Sequence, residues 1–391
     1  MREKLIFLVA GEPSGDNLGA KLMAALKRAE PAGVRFAGVG GERMQAEGLS
    51  SLFALADLSV MGLAEVVPRL PTIFARLRRT ADAIRQMRPD AVVLIDAPSF
   101  GLRVADRVRG LGIPVVQYVA PQLWAWRPGR AKKLAGRIDA MLALLPFEPA
   151  FFAKLGLACT HVGHPVLEDG LLAGDGAEFR ARHAIAPADK IVVVLPGSRA
   201  GLFKRMAPIF AETARLLAAK RAGLVFVLPY VANTDAQSAA FAKTLPGKVV
   251  RVLAAADKRA SFRAGDAALS VSGTATLELA VAGLPMVVGH RVNALSGYLA
   301  RKMIQVPFVA MPNVIAGRRI VPELLQGDCT PAALAVEIET LLADADAAAR
   351  MRADLGSVCD ALGRADLANG PGHLPSERAA AAVLAAIRAR A

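Results

Sequence analysis

A chain of 391 residues, 54% hydrophobic and 21% charged, is too apolar to stay disordered and long enough for two domains. Its formal net charge of +14 favours anionic partners: nucleic acid, anionic lipid head groups or phosphorylated metabolites. The three cysteines, Cys159, Cys329 and Cys359, are scattered and form no CxxC or Cys/His cluster, which excludes a zinc framework and fits a reduced compartment.

The chain opens with the apolar run LIFLVA (5–10), followed by GEPSGD and an amphipathic stretch. A buried strand entering a glycine-rich turn usually presents backbone N–H groups to a phosphate, and carboxylates are unwelcome there. This turn carries Glu12 and Asp16. Either they (or Ser14) cap the helix, or they face something other than a phosphate. The opening apolar run is too short for a secretory signal, and no uninterrupted apolar run reaches the ~18 residues of a membrane span. A cytoplasmic protein that meets membranes only from the side is the expectation.

Further apolar runs follow at AVVLI (91–95), VVQYV (115–119), AMLALL (140–145), IVVVL (191–195), LVFVL (224–228), AALSV (267–271) and PMVVG (285–289), with helical sequence between them. Near-continuous apolar strands alternating with helices predict parallel sheets covered on both faces, an α/β doubly wound fold. The runs form two series, one ending near Gly163 and one starting at Lys190, with the polar stretch LEDGLLAGDGAEFRARHAIAPADK between them. The expected domains are 1–165 and 166–365, with a last helix, 376–391, joining the first domain.

Two turns of the second series stand at strand ends, where ligands of open α/β sheets collect. One is Pro196, Gly197, Ser198 and Arg199; the other is Ser272, Gly273 and Thr274, with Glu278 in the helical turn that follows. Small, hydroxyl-bearing turns of this kind offer N–H groups to a diphosphate. Neither is a P-loop or a GxGxxG fingerprint, which argues against a dinucleotide-linked dehydrogenase. In the first series Asp96 ends a strand and begins a proline-containing turn; it is either a general base or an Asx-turn former.

In order along the chain, AGEPSGD (10–16), LIDAPSF (94–100), YVAPQLWAWRPGR (118–130), LPFE (145–148), GHP (163–165), LPGSR (195–199), SGTATLELA (272–280) and MPNVIAGRRIVPELLQ (311–326) resemble the lipid-A-disaccharide synthases, inverting glycosyltransferases. The resemblance implies a GT-B architecture of two Rossmann-like domains with an interdomain cleft. It implies UDP-2,3-diacylglucosamine as donor and 2,3-diacylglucosamine 1-phosphate (lipid X) as acceptor, joined as a β-1′,6-linked disaccharide with release of UDP. It further implies a peripheral protein of the cytoplasmic face of the inner membrane and permits a homodimer. Four positions depart from the pattern: Pro13, Ser99, Leu202 and His290.

Carried onto this sequence, the resemblance makes Asp96 the catalytic base. Gly197, Ser198, Arg199, Ser272, Gly273, Thr274, Glu278 and Asn313 become the donor side, with Arg199 on the diphosphate and Glu278 on the ribose. Glu12, Ser14, Gly15, Asp16, Trp124 and Trp126 become the acceptor side. Of the five histidines, His183 and His373 sit in linker or tail sequence, while His161, His164 and His290 stay open as bases behind Asp96. No cofactor and no metal are expected; the one DxD, Asp344 and Asp346, reads as a solvated helix face.

Two stretches suit an anionic membrane surface. Residues 52–71 are apolar with few charges, and 69–88 set six arginines, Arg76, Arg78 and Arg79 among them, against the single acid Asp82. Residues 127–137 hold five cations and no acid, directly after Trp124 and Trp126. A buried helix and an ordinary charged face explain the same residues equally well. The alternative functions are a soluble UDP-sugar enzyme of GT-B fold, such as a UDP-N-acetylglucosamine 2-epimerase, and a basic nucleic-acid-binding protein. No RNA-binding motif or zinc finger supports the second, and no nucleic acid is expected as a partner.

Overall fold

A computed structural model describes residues 2–58, 63–126, 134, 136–292, 306–367, 369–370 and 372–390, and only the backbone of 63–68, 126 and 254–256. The chain divides into two compact units, residues 1–165 with 362–391, and residues 166–361.

The first unit is built on seven parallel strands: β1 (Lys4–Ala10), β2 (Val34–Val39), β3 (Ser50–Ser51), β4 (Ala91–Ile95), β5 (Val115–Tyr118), β6 (Ala140–Ala143) and β7 (Cys159–His161), in the order β3-β2-β1-β4-β5-β6-β7. Successive side chains of a strand face opposite ways. Phe7, Val9, Val92 and Leu94 join one core layer with Leu77, Ile84, Phe100 and Val104 of the covering helices. Ile6, Leu8, Val93 and Ile95 join the other, with Leu18, Leu22 and Leu26. Both faces are dry, which is why these strands read as unbroken apolar runs.

The helix Pro375–Arg388 closes the second layer by packing on Pro13–Ala29. Its Val383, Leu384 and Ile387 are buried there, each contributing about 2 kcal/mol of apolar burial. The chain re-enters this unit beside the point where it leaves: the N–H of His164 donates to the Leu362 carbonyl at 3.0 Å, and Arg378 donates to the His161 carbonyl at 2.8 Å.

The second unit carries six parallel strands: β8 (Lys190–Leu195), β9 (Leu224–Tyr230), β10 (Lys248–Leu253), β11 (Ala267–Ser270), β12 (Met286–His290) and β13 (Glu323–Leu325), in the order β10-β9-β8-β11-β12-β13. In each sheet the direction of winding reverses once, between β1 and β4 and between β8 and β11. A reversal opens a crevice at the carboxyl ends of the two strands, because the following loops diverge to opposite faces.

Candidate active site

The crevice of the first unit brings two of the sequence motifs together. Ala10 pairs with Ile95 across β1 and β4, so GEPSGD and DAPS leave the sheet side by side. Asp96 (φ 54°) and Ala97 (φ 41°) are both left-handed, as is Val119 (φ 76°) at the end of neighbouring β5. Such conformations cost non-glycine residues on the order of 1–3 kcal/mol each and persist only where the surroundings hold them. The N–H of Asp96 donates to the Tyr118 carbonyl at 2.9 Å. The buried Gln117 amide donates towards the Val119, Tyr118 and Asp96 carbonyls at 3.2, 3.3 and 3.5 Å.

The half-buried Asp96 carboxylate accepts from its neighbour's N–H, Ala97, at 2.9 Å and from the Ser14 hydroxyl at 3.3 Å. A carboxylate has about four acceptor positions, so two remain for a ligand hydroxyl. Gly11 is required by this packing: a Cβ there would stand 2.2 Å from the Cβ of Ala97.

The two acids of the first turn part company. Glu12 is exposed at the start of the helix Pro13–Ala29 and makes no capping bond. Asp16 is 6% exposed, and its oxygens accept the N–H groups of Gly41, Met44 and Arg43 at 2.7, 3.1 and 3.1 Å. It therefore caps the helix Glu42–Ala46 after β2, not its own, and Gly15 lets its helix approach the Ile95 carbonyl closely.

Trp124 lies in the single helical turn Leu123–Trp126 after β5; the Trp126 side chain and residues 127–133 lie outside the described residues. The Trp124 indole N–H donates to Glu148 at 3.0 Å, and its ring meets Phe147 edge-on with centroids 4.8 Å apart. Glu148 is 2% exposed, and burial pushes its carboxyl up to about 7 against the N–H donors of Leu145, Trp124 and Leu144. The sequence reading did not single out Glu148. Its signal was the acid of LPFE, placed after a strand end like the acids of the other motifs.

In the second unit Gly197 is left-handed (φ 115°) and Ser198 and Arg199 are exposed, with Arg199 the N-cap of the helix Ala200–Lys220. Arg199 makes no ion pair among the described residues. Leu202, one of the positions that depart from the resembled pattern, packs over Gly197: a Cβ at Gly197 would meet it at 3.1 Å. On the neighbouring strand end Gly273 (φ 153°) faces open space, and Thr274 is exposed beside it. Ser272 donates to the Val309 carbonyl at 2.8 Å, and Glu278 is paired with Lys258 at 2.7 Å.

Asn313 is fully buried, and its amide is used up internally. It donates to the Val321 carbonyl and to Glu323 at 2.9 and 2.6 Å, and accepts from Ile320 and Val321 at 2.7 and 2.9 Å. Glu323 in turn takes the N–H groups of Val309 and Ala310, both at 3.0 Å. Asn313 thus braces the loop that anchors Ser272, and has no free position for a ligand atom. His290, at the end of β12, has its Nδ1 buried with no hydrogen-bond partner among the described residues, and burial and then Arg205 lower its pKa.

Outside these edges, Leu52, Phe74, Arg78, Arg79 and Met87 line an open groove of about 670 Å³ on the helix Leu63–Met87. Phe74 and Met87 are 50% and 46% exposed. Arg76 is not free: it pairs with Asp57 at 2.8 Å and covers the Phe53 ring. Asp344 accepts the N–H of Ala347 and so caps the helix Ala345–Ala361. Among the described residues no group of three or more His, Cys, Asp or Glu could hold a metal ion, and no helix is long and apolar enough to cross a membrane.

The model of the family "Lipid-A-disaccharide synthetase" matches residues 6–366. The chain belongs to the lipid-A-disaccharide synthase family. The lipid-A-disaccharide synthase of Rhodospirillum centenum is 47% identical over 100% of this chain and 96% of that relative, and that of Paramagnetospirillum magneticum is 45% identical over 98% of each. Membership makes the chain a glycosyltransferase acting on lipid-linked sugars. The glycosyltransferase of kitacinnamycin superposes with TM-score 0.65 at 18% identity, covering 98% of this chain and 99% of that one. A UDP-GlcNAc 2-epimerase from Neisseria meningitidis superposes with TM-score 0.62 at 12% identity, covering 93% and 97%. These likenesses establish the GT-B fold of paired parallel-sheet domains expected from the sequence.

Proposed function

We infer that this chain joins UDP-2,3-diacylglucosamine to 2,3-diacylglucosamine 1-phosphate, making the β-1′,6-linked disaccharide and releasing UDP. The observation that carries the reading is the Asp96 carboxylate, held in strained backbone at the switch point of the first sheet with acceptor capacity to spare. Asp96 takes the proton of the acceptor hydroxyl as its oxygen attacks the anomeric carbon of the donor. The bond to UDP breaks on the opposite side, and the configuration inverts. Ser14 and the Ala97 N–H fix the carboxylate; Trp124, with Glu12 exposed on the neighbouring turn, belongs to the acceptor side.

On the second unit, the backbone of Gly197, Ser198, Gly273 and Thr274 and the exposed Arg199, without an ion pair among the described residues, suit the diphosphate. A guanidinium there offsets the charge that grows on the leaving UDP. Glu278 suits the ribose only by leaving Lys258, and Asn313 and Ser272 act as braces. The apolar and basic sequence of residues 52–88, with the Phe74–Arg79 groove, and the basic sequence after Trp126 support a peripheral position on the anionic cytoplasmic face of the inner membrane, as a monomer or a homodimer.

Mass spectrometry of the products formed from diacylated and non-acylated UDP-glucosamine donors tests the assignment. Disaccharide is expected from the diacylated donor alone. A C2 epimer of either donor, with no disaccharide, overturns the reading in favour of an epimerase.

A further inference from the structure

The transfer chemistry leaves Glu148 unused, although its carboxyl is among the most deeply buried in the first unit. Its two oxygens serve two different elements. One takes the Trp124 indole N–H and the other the Leu145 backbone N–H, each at 3.0 Å. With the edge-on contact between Phe147 and Trp124, these bonds clasp the turn Leu123–Trp126 after β5 to the turn after β6. A helical turn of four residues has no stability of its own and takes its place from such contacts. Strands β4, β5 and β6 are neighbours, so the clasped turn stands next to the one that carries Asp96.

An acid is an expensive way to hold an indole. A buried carboxylate without a cation lowers stability, and an apolar side chain of similar size packs around a ring without that loss. What the carboxylate adds is direction: it fixes one ring edge through one N–H. We propose that Glu148 is a positioning residue for the glycosyl transfer, whose carboxylate holds the Trp124 indole, and with it the Leu123–Trp126 turn, as a fixed wall of the acceptor site beside Asp96. The proposal rests on the acceptor-side reading of Trp124 given above.

The ionised group accepts from both Trp124 and Leu145. Protonation turns one oxygen into a hydroxyl, which no longer accepts equally from both donors. The clasp therefore loosens as pH falls through neutrality, since burial sets the carboxyl at about 7. The groups around it do not confuse that transition. Its own helix, Glu148–Ala153, carries no other charge. On β7 the Cys159 thiol, pushed up to about 12 by burial and by Glu148, stays neutral. His161, bonded to the Leu144 carbonyl, has its pKa lowered by burial and by Arg378, so it titrates on the acid side of Glu148. Arg378 is itself paired with Asp366.

The chain has two tryptophans, so a Trp126→Phe background leaves Trp124 as the sole reporter. Its fluorescence is expected to change with a midpoint near pH 7, and the change is expected to vanish on Glu148→Gln. In the otherwise native chain, Glu148→Gln and Trp124→Phe are each expected to raise the acceptor KM by roughly ten-fold, the scale of one charge-assisted hydrogen bond, with UDP affinity unmoved. The double variant is expected to be no worse than the worse single one. Trp124→Phe keeps an aromatic ring against Phe147 while removing the N–H with the pyrrole part of the indole, and it leaves Glu148 in place, so it answers whether or not Glu148→Gln folds. A transition that persists in Glu148→Gln, one absent from the parent, or single effects that multiply in the double variant overturns the clasp. A clasp that titrates as expected while neither substitution moves the acceptor KM overturns the acceptor reading of Trp124.

Discussion

The hydroxyl of Ser14 donates to the carboxylate of Asp96 across 3.3 Å, tying the turn after the first strand to the turn after the fourth. The bond makes the two motifs one unit, and it separates two sizes of effect. Asp96→Asn, nearly isosteric, is expected to fold and bind UDP but to lose roughly 10²–10⁴ in turnover, the range of general-base catalysis. Ser14→Ala removes one orienting bond and is expected to cost only about ten-fold, on the scale of a single hydrogen bond to a charged group. Steady-state turnover and UDP titration of both variants check this. An Asn variant within a few-fold of the parent moves the base elsewhere, first to His290.

Arg199 stands at the N-cap of its helix, where the macrodipole disfavours a cation, and it has no ion-pair partner among the described residues. Arg199→Ala is expected to lower turnover by about 10²–10³, the scale of one lost donor to developing charge. Arg199→Lys is expected to recover only part, because an ammonium lacks the planar fork. Near-normal turnover of the Ala variant at saturating donor would remove Arg199 from the diphosphate.

Glu148 also leaves a mark on stability. Its carboxyl rises from 4.5 to about 7 on folding, so between those values the native state binds more protons than the unfolded one. The stability contributed by that proton is fully present below pH 4.5 and is lost as pH rises to about 7. The loss is of order 3 kcal/mol by the conversion of pKa units into free energy. Glu148→Gln has no such titration. The difference in Tm between variant and parent is expected to grow in the variant's favour across that window and then level off. A difference independent of pH would show that the native carboxyl titrates in its ordinary range.

Purified protein is expected to bind vesicles containing anionic lipid and to leave them as salt rises, since exposed charges are screened over ~8–10 Å at moderate ionic strength. Charge reversal at Arg78 and Arg79, which line the groove beside exposed Phe74, is expected to weaken binding without loss of fold. Arg76 is a poor probe, because its reversal also breaks the pair with Asp57. Equal binding to neutral and anionic vesicles rejects the electrostatic part.

The interior strands were legible because both faces of each are buried, which erases polar alternation and leaves runs such as AVVLI. The strands at and next to the edges were not. β2, flanked on one side only by the two-residue β3, begins on half-exposed Val34 and exposed Arg35, β10 ends on exposed Leu253, and β13 has no fully buried residue, so none makes an apolar run. The place of Asp96 at a strand end could be read from the sequence. That Asp16 caps a helix other than its own could not, because its partners, Gly41, Arg43 and Met44, lie more than twenty residues away. The internal bonds of Asn313 were hidden for a related reason: an amide in a motif looks the same whether it faces a nucleotide or a neighbouring loop. Glu148 escaped notice because only depth of burial sets it apart from a surface helix-start acid.

The return of the helix Pro375–Arg388 to the first unit sets the order in which the protein can be completed on the ribosome. The second unit has all its residues once position 361 has emerged. The first unit, begun earlier, must wait with the apolar face of Pro13–Ala29 uncovered until Val383, Leu384 and Ile387 are synthesised. Domains usually finish in the order they are made. Here the one made first finishes last, and part of its apolar surface stays uncovered throughout synthesis of the other.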